Sequence, residues 1–500
     1  MRFPRSSGLL LHPTALPGPR ACGDLGDGAD AFVEFLAEAG QALWQVLPLG
    51  PTGFGDSPYQ CFSAFAGNPL LVSPERLHRD GLLSADELSR LPRRQGAHAD
   101  FGAAHAAARA IARALAARLE SHRLHESFAA FCASTSWLAD LALFMALRDV
   151  HGGASWREWP AALRRREPAA LAEARRSLAR TIRAYEVMEW AFDAQWQALR
   201  AHAHARGVAL MGDAPIFVAH DSADVWARPE LFELDQDGRP TGVAGVPPDY
   251  FSATGQLWGN PLYRWEAHAA DHFTWWGDRL AAVLRLVDRA RLDHFIGFVR
   301  YWAVPPDAPD ARGGRWEPGP GEALFHALAK RFGALPLVAE DLGETDEEVA
   351  ELRDALGLPG MAVLQFAFDG DRDNPFLPRN HVANQVVYTG THDNDTTCGW
   401  WANLGDEERA AVRAGLGAGS GDGSGHIVWD LIAAGMASAA DTFVTPVQDV
   451  LALGSEARFN TPGRASGNWT WRLADGELTG AHAGRLRALA SAHGRIPQRP

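Results

Sequence analysis

The segment Leu335-Pro-Leu-Val-Ala-Glu-Asp341 carries a short apolar run that ends on a carboxylate. Two other segments have the same form, Ala290-Arg-Leu-Asp-His-Phe295 and Val386-Val-Tyr-Thr-Gly-Thr-His-Asp-Asn394. A carboxylate at the end of a buried strand adds little stability, but it is well placed for chemistry, because a (β/α)₈ barrel builds its active site at the carboxyl ends of its strands. The three segments therefore predict such a barrel, with their acidic residues in one cleft.

The rest of the chain supports this fold, because apolar runs alternate with amphipathic stretches in the manner of βα units. Eight strands are predicted, at 8–12, 42–48, 208–218, up to 293, up to 340, and at 360–368, 385–392 and 442–451. From Glu340 to Asp393 the chain advances 53 residues. That distance fits two βα units of roughly 30 residues each, since a barrel of eight takes about 250 residues. Asp293, Glu340 and Asp393 are then expected on strands four, five and seven.

Two stretches interrupt this rhythm. Residues 60–200 are mostly rich in Ala, Arg, Leu and Glu with helical periodicity, which predicts an inserted, largely helical subdomain. Residues 219–270 predict a loop-rich insertion that covers the cleft, because loops of this length are usually functional. We expect one catalytic (β/α)₈ domain over residues 1–500, with these insertions around the cleft and no separate C-terminal β-domain.

Composition restricts the class of partner. The chain has 500 residues with a formal net charge of -14, and no block of Lys or Arg interrupts it. Nucleic acid and anionic membranes are therefore poor partners, and a neutral substrate fits better. The four cysteines are scattered, the apolar run near the N-terminus is too short for a signal peptide, and no apolar segment approaches the roughly 20 residues of a membrane span. We predict a cytoplasmic protein.

The acidic residues at strands four and five have distinct expected environments. Arg291 and Asp293 share one face of a strand, so the guanidinium favours an ionised Asp293, as a nucleophile requires. Glu340 leaves an apolar strand, and partial desolvation would raise its pKa, as a general acid requires. Glycosidases flank the scissile bond with such an Asp/Glu pair. A buried Arg291–Asp293 ion pair and a helix N-terminal region around Glu340 are the structural alternatives.

The turn Thr391-His-Asp-Asn-Asp-Thr396 places two carboxylates, an imidazole and an amide after the seventh predicted strand. Such a set is suited to binding sugar hydroxyls, because His can both donate and accept hydrogen bonds. A turn rich in Asx residues is the alternative. Its Asp and His content is compatible with a metal, but no ligand spacing supports one. We therefore predict no metal and no cofactor.

Several further motifs carry a family resemblance. They are Trp44-Gln-Val-Leu-Pro-Leu-Gly-Pro-Thr52, Asp56-Ser-Pro-Tyr-Gln60, Phe62-Ser-Ala-Phe-Ala-Gly-Asn-Pro69, Gly212-Asp-Ala-Pro-Ile-Phe217 and Asp221-Ser-Ala-Asp-Val-Trp226. With the three carboxylate segments, they resemble the 4-α-glucanotransferases called amylomaltases or disproportionating enzymes, of the α-amylase-like clan. The resemblance runs over almost the whole chain, from Ser7 to Arg472.

The resemblance implies roles for individual residues. It makes Asp293 the nucleophile, Glu340 the general acid and base, and Asp393 the carboxylate that stabilises the transition state. It also implies a set of substrate-binding residues: Ser57, Tyr59, Asp213, Asp249, Trp258, Arg291, His294, His392 and Asn460. In this set Tyr59 stacks on the donor sugar, Asp249 and Trp258 belong to a loop over the cleft, and Asp213 gives structural support.

The chain departs from the family pattern at Phe54 and Phe101, which stand where some relatives have Tyr at a secondary glucan-binding groove. The loss of the phenol removes a hydrogen bond but keeps a stacking face, so the handling of long glucans is the property most affected. Phe459 stands where the family more often has Met, and we expect that change to be neutral.

The implied activity is the transfer of a 1,4-α-glucan segment to the 4-hydroxyl of an acceptor glucose or glucan, by retaining double displacement through a β-glucosyl-enzyme. Malto-oligosaccharides or other α-1,4-glucans would be donor and acceptor. A hydrolase of the same clan would carry the same carboxylates and is the first alternative. An inactive glucan-binding protein is the second, and the complete set of carboxylates argues against it.

Overall fold

The computed structural model of the chain describes residues 2–248, 252–343, 347–416, 424–464 and 466–496. Its centre is a sheet of eight parallel strands: Ser6–Leu10, Leu43–Gln45, Ala209–Ala214, Arg289–Leu292, Leu337–Ala339, Gly360–Val363, Gln385–Tyr388 and Thr442–Pro446. The first strand pairs with the eighth, and the fourth pairs with the fifth. The N–H of Ala339 donates to the carbonyl of Pro359 at 2.9 Å, which brings the fifth strand against the sixth and closes the barrel.

The predicted (β/α)₈ barrel is confirmed, but its strands are shorter than the apolar runs suggest. The third strand ends at Ala214 because Pro215 has no N–H to donate to a neighbour. The seventh ends at Tyr388, and its predicted continuation is a turn in which the Asn394 side chain accepts hydrogen bonds from the N–H and the hydroxyl of Thr391. Short strands leave long loops at the carboxyl end of the barrel.

Helices surround the barrel and fill the predicted helical insertion. Around the barrel they are Asp27–Glu38, Ala179–Ala205, Thr274–Leu286, Gly321–Phe332, Glu347–Ala355, Ser424–Ala437 and Gly480–Ala492. The other helices are Pro74–Arg79, Ala85–Arg90, Phe101–Arg118, His125–Ser134, Leu138–Val150, Ala161–Arg164, Pro168–Ser177, Ala223–Ala227, Trp265–Ala270, Thr397–Asn403, Asp406–Leu416 and Val447–Val450. Several of those in the insertion pack on Ala179–Ala205, where Trp190 and Trp196 are buried.

A four-stranded antiparallel sheet lies beside the barrel, and the sequence does not predict it. Its strands, in spatial order, are Gln256–Pro261, Val243–Val246, Arg300–Val304 and Arg315–Pro318. The stretch 219–270 is therefore not only loop. These strands were missed because each is short and Val243-Ala-Gly-Val246 lacks polar alternation. Two of the four also follow the fourth barrel strand, far along the chain from the other two.

Within the described ranges, no single helix is long and apolar enough to cross a membrane. The helices His125–Ser134 and Leu138–Val150 reach that length and composition only together, as a pair bent by 99°. Both pack against Ala179–Ala205 in the helical insertion.

Candidate active site

The carboxyl ends of strands four and five place Asp293 and Glu340 side by side. Leu292 pairs with Ala339 in the parallel ladder, so the next residue of each strand lies at the same level. The N–H of Glu340 continues the ladder by donating to the carbonyl of Leu292 at 3.0 Å. The two acidic residues therefore leave neighbouring strands at the same end of the barrel, as the sequence predicts.

Arg291 binds two carboxylates at once. Its Nη1 lies 2.6 Å from Asp213 Oδ2, and its Nη2 lies 2.9 Å from Asp293 Oδ1. Burial opposes the charge on Arg291, but the two carboxylates hold the pKa of its guanidinium well above the ordinary value. The Asp213 side chain is fully buried, whereas that of Asp293 is 26% exposed. The ion pair predicted as the structural alternative thus exists, and it leaves Asp293 accessible from the cleft.

Tyr59 connects this ion pair to the seventh strand's loop. Its hydroxyl donates to Asp213 Oδ2 at 2.8 Å, and its ring stacks on His392 with 5.1 Å between centroids and 12° between planes. Burial raises the pKa of the Asp213 carboxyl, while Arg291 opposes that shift. Trp469 lies 6.0 Å from both rings. Tyr59 and Trp469 therefore give the site an aromatic wall.

Glu340 has the environment that the sequence predicts for a general acid. Burial raises the pKa of its carboxyl to about 7; the charge of Asp293 adds to the rise, and Arg291 opposes it. Two backbone N–H groups donate to the carboxylate, from His294 at 2.7 Å and from Leu342 at 3.1 Å. In the described part of the chain the next helix is Glu347–Ala355, seven residues further along.

His294 connects Glu340 to the antiparallel sheet. Its backbone is left-handed, with φ 53° and ψ 55°, and its N–H donates to the Glu340 carboxylate. Its ring packs edge-to-face on Trp258, with 4.8 Å between centroids. Burial lowers the pKa of the imidazole to about 4, so the ring is neutral at pH 7. Trp258, on the strand Gln256–Pro261, is therefore separated from Glu340 by His294 alone.

Asp393 is oriented by the loop that follows the eighth strand. Asn460 donates from Nδ2 to Asp393 Oδ1 at 2.5 Å, and Arg458 donates from Nη2 to the Asp393 carbonyl at 2.6 Å. His392 Nε2 lies 3.3 Å from Asp393 Oδ2. The Asp393 side chain is 43% exposed, so one side of the carboxylate is open to a ligand.

From the sequence, no role was assigned to Arg458 or Trp469, although both lie within the stretch over which the family resemblance runs. The only available signal was position, because Arg458 stands two residues before Asn460. The Oγ of Ser57 accepts from the N–H of Tyr59 at 3.2 Å and shapes the turn that carries Tyr59, and its contact with a sugar stays a prediction. Asp249 lies outside the described residues.

The two phenylalanines at the expected secondary groove differ in exposure. Phe54 is 80% exposed, whereas Phe101 is 7% exposed. The stacking face expected of Phe101 is therefore not available, because its ring packs into the core at the start of the helix Phe101–Arg118. Phe54 alone offers a ring to solvent.

The described residues contain no group of three or more His, Cys, Asp or Glu side chains placed to hold a metal ion. Polar groups of the cleft instead donate hydrogen bonds to the carboxyl groups of Asp213, Glu340 and Asp393. The absence of a cofactor stays a prediction.

A closed parallel barrel with carboxylates at the ends of strands four, five and seven defines a barrel enzyme of the glycosidase type. Comparison with family models makes the assignment specific: residues 11–479 match Glyco_hydro_77, described as 4-alpha-glucanotransferase. The chain belongs to this family.

Individual relatives agree with that assignment. The chain is 51% identical to a 4-alpha-glucanotransferase from Thermus thermophilus, over 99% of this chain and 100% of the relative. A 4-alpha-glucanotransferase from Synechocystis is 47% identical over 98% of both chains. Among solved structures, an amylomaltase from Streptococcus agalactiae in complex with acarbose matches with a TM-score of 0.95 and 37% identity, over 98% of this chain and 100% of that one. The protein is therefore an enzyme that transfers segments of α-1,4-glucans, and the hydrolase alternative is not favoured.

Proposed function

We propose that the transfer proceeds by retaining double displacement, with Asp293 as nucleophile and Glu340 as general acid and base. In the first step the Asp293 carboxylate forms a bond to the anomeric carbon, the glycosidic C–O bond breaks, and the Glu340 proton moves to the leaving O4. In the second step the acceptor O4 bonds to the anomeric carbon, its proton returns to Glu340, and Asp293 is released as a carboxylate.

The observation that carries this proposal is the contrast between two neighbouring carboxyl groups. Asp293 lies 2.9 Å from the Arg291 guanidinium, in an ion pair that leaves its carboxylate 26% exposed toward the cleft. Glu340 lies beside it, where burial raises the pKa to about 7 and keeps a proton available. An ion-paired, accessible carboxylate beside a desolvated carboxyl group matches the nucleophile and the acid of a retaining glycosidase pair.

The remaining polar groups would bind the donor sugar. Asp393, held by Asn460 and beside His392, presents an open carboxylate edge to a pair of sugar hydroxyls. Tyr59 supports the Arg291 ion pair through Asp213 and offers an aromatic surface to the ring of the sugar. We assign the substrate as malto-oligosaccharide or a longer α-1,4-glucan, which is neutral, in agreement with the chain's acidic net charge.

Transfer requires that an acceptor hydroxyl reacts with the glucosyl-enzyme faster than water does. An acceptor held against the aromatic side chains near Glu340 gains proximity, and effective molarities in good geometry reach ~10⁵ M or more. Trp258 is the best placed of these side chains, because it contacts His294, whose N–H binds Glu340. We propose that Trp258 forms part of the acceptor site.

Trapping of the covalent intermediate tests the assignment of both carboxylates. α-Maltotriosyl fluoride needs little acid assistance to lose fluoride, so Glu340→Ala should still form the glucosyl-enzyme and then stall for lack of a base. We expect the mass of this variant to rise by one maltotriosyl group, with the label on the peptide that contains Asp293. The variant Glu340→Ala/Asp293→Asn is the control and should gain no mass. A label on another residue would refute the nucleophile assignment.

Maltotriose distinguishes the fate of the intermediate. The transferase reaction yields glucose together with oligomers longer than the substrate, whereas capture by water yields products no longer than maltotriose. Asp293→Asn should abolish turnover while it retains the binding of malto-oligosaccharides. Unchanged activity in that variant would contradict the mechanism.

We propose further that the chain acts as one catalytic unit, with 60–200 and 219–270 as insertions, and that it works in the cytoplasm without a cofactor. The packing of the insertion helices on Ala179–Ala205 supports the first point. Activity after dialysis against a chelator, and the location of the enzyme after cell fractionation, test the other two.

A further inference from the structure

The segment between strand seven and the helix Thr397–Asn403 carries His392 and Asp393, and a threonine stands at each of its ends. Thr389 directly follows the strand Gln385–Tyr388, and Thr397 is the first residue of the helix. Both threonines are fully buried. The geometry of Asp393 therefore depends on how these two ends are held.

One buried carboxylate binds both ends. Asp449 Oδ2 accepts from the hydroxyl of Thr389 at 2.6 Å and from the hydroxyl of Thr397 at 2.7 Å, and Oδ1 accepts from the Thr397 N–H at 2.7 Å. Thr389 also lies 2.9 Å, between hydroxyl oxygens, from Thr445 of the eighth strand. Asp449 is 1% exposed. Among the described residues its donors are two threonine hydroxyls and one backbone N–H, all neutral, and these bonds offset the cost of burying the carboxylate.

Asp449 also belongs to the element that orients Asp393 from the other side. It lies in the helix Val447–Val450, which continues the eighth strand toward Arg458 and Asn460. Arg458 holds the carbonyl of Asp393, and Asn460 holds its carboxylate. The segments after strands seven and eight are thus joined at two places, through Asp393 in the cleft and through the buried Asp449.

We propose that Asp449 is a positioning residue for the transfer reaction, which fastens the loop of strand seven to the segment after strand eight so that the Asp393 carboxylate meets the donor sugar in the transition state. This inference rests on the role proposed above for Asp393. Asp449 itself touches no substrate; it acts through Thr389 and Thr397. A displacement of about 1 Å at a group that acts in the transition state can lower a rate ~10²-fold.

The primary test compares two substitutions of Thr389. Thr389→Val is close in shape but has no hydroxyl for Asp449, whereas Thr389→Ser keeps the hydroxyl. With maltotriose we expect kcat to fall about tenfold in the valine variant, with KM within about twofold of wild type, and the serine variant to restore most of kcat. Equal kcat values for the two variants would overturn the inference, because a requirement for packing alone does not distinguish the hydroxyl.

Asp449→Leu removes all three hydrogen bonds, and we expect its kcat to fall ~10²-fold. Asp288→Asn is a matched control, because the Asp288 carboxylate also accepts a backbone N–H, from Leu210 at 2.8 Å, but precedes strand four at the opposite end of the barrel. We expect this control variant to have a lower melting temperature than wild type and an unchanged kcat. Circular dichroism and melting curves show whether each variant is folded at the assay temperature; if Asp449→Leu does not fold, the Thr389 pair decides.

A double-mutant cycle separates this inference from the proposed function. Asp393→Ala, measured with α-maltotriosyl fluoride, should lower kcat, and Asp449→Leu should cause little further loss in that background. Additive losses would show that Asp449 acts elsewhere and would overturn the inference, while Asp393 keeps its role. An unchanged kcat in Asp393→Ala would instead refute the role of Asp393 and, with it, the basis of the inference.

Discussion

The backbone N–H of His294 donates a hydrogen bond to the carboxylate of Glu340, with 2.7 Å between the nitrogen and the oxygen. His294 has a left-handed backbone at this position, with φ 53°. His294 directly follows Asp293, so the bond couples the proposed nucleophile's strand to the proposed acid. We therefore predict that the backbone conformation of His294, and not only its imidazole, affects how well Glu340 acts as an acid.

Two substitutions at this position isolate the backbone. His294→Asn and His294→Val both remove the imidazole, but Asn tolerates the left-handed region and a β-branched residue does not. We expect kcat of the valine variant to be at least tenfold below that of the asparagine variant. An N–H bond to a carboxylate favours its ionised form, so its loss should also move the alkaline limb of the pH–rate profile of the valine variant upward. Matching kcat values and profiles would contradict this prediction.

The pH dependence of activity follows from Glu340. The first step needs a protonated acid, and burial raises the Glu340 pKa to about 7. We therefore expect kcat/KM for maltotriose to fall above about pH 7, tenfold for each further pH unit. With α-maltotriosyl fluoride, a donor that needs no acid, the rate of the glucosylation step should not show this fall at alkaline pH. If the rate falls at the same pH with both donors, the titrating group is not Glu340.

The same group predicts a stability difference. The pKa of Glu340 is higher in the folded protein than its ordinary value of 4.5, so the folded state binds the proton more tightly and loses stability as pH rises from about 4.5 to 7. Glu340→Gln does not titrate. Its free energy of unfolding relative to wild type should therefore increase through this range and level off above pH 7, by on the order of a few kcal/mol. Urea denaturation at pH 5 and pH 8 measures it, and a constant difference would be contrary to expectation.

Removal of the Tyr59 hydroxyl should weaken the support of the Arg291 ion pair. Tyr59→Phe keeps the ring on His392 but leaves Asp213 without its 2.8 Å donor, and a hydrogen bond to a charged group contributes ~1.5–3 kcal/mol. We expect kcat/KM to fall about tenfold and the melting temperature to drop. Tyr185→Phe is the matched control, because Tyr185 donates to Asp149 at the same 2.8 Å within the helical insertion. Equal activity of the two variants would count against the role of Tyr59.

Trp258 should govern the competition between acceptor and water. Trp258→Ala removes the ring that packs on His294, so the share of glucosyl-enzyme captured by water should rise severalfold while consumption of the donor changes less. Trp316→Ala is the control: Trp316 packs on Trp302 and lies on the strand Arg315–Pro318, at the opposite edge of the same sheet from the strand of Trp258. Free glucose and reducing ends, measured together with maltotriose as donor, give this share. An unchanged share in Trp258→Ala would exclude this residue from the acceptor site.

The barrel and its carboxylates were predictable from local sequence. Each buried parallel strand appears in the sequence as an apolar run. An acidic residue that ends such a run lies at the carboxyl end of its strand, as Asp293 and Glu340 do. The i, i+2 rule correctly paired Arg291 with Asp293, because alternation along a strand is a local property. Family motifs then assigned the roles of the three carboxylates as predictions.

Contacts between distant segments depended on the tertiary structure. The antiparallel sheet joins residues 243–261 to residues 300–318, and such pairing leaves no periodic signal in strands of four to six residues. The burial of Phe101 and the hydrogen bonds of Asp449 to Thr389 and Thr397 likewise come from packing between segments that are distant in sequence. Sequence by itself determined which residue types end the strands, because that pattern is local. The folded chain decided which of their partners hold them in place, since hydrogen bonds and desolvation depend on neighbours far apart in sequence.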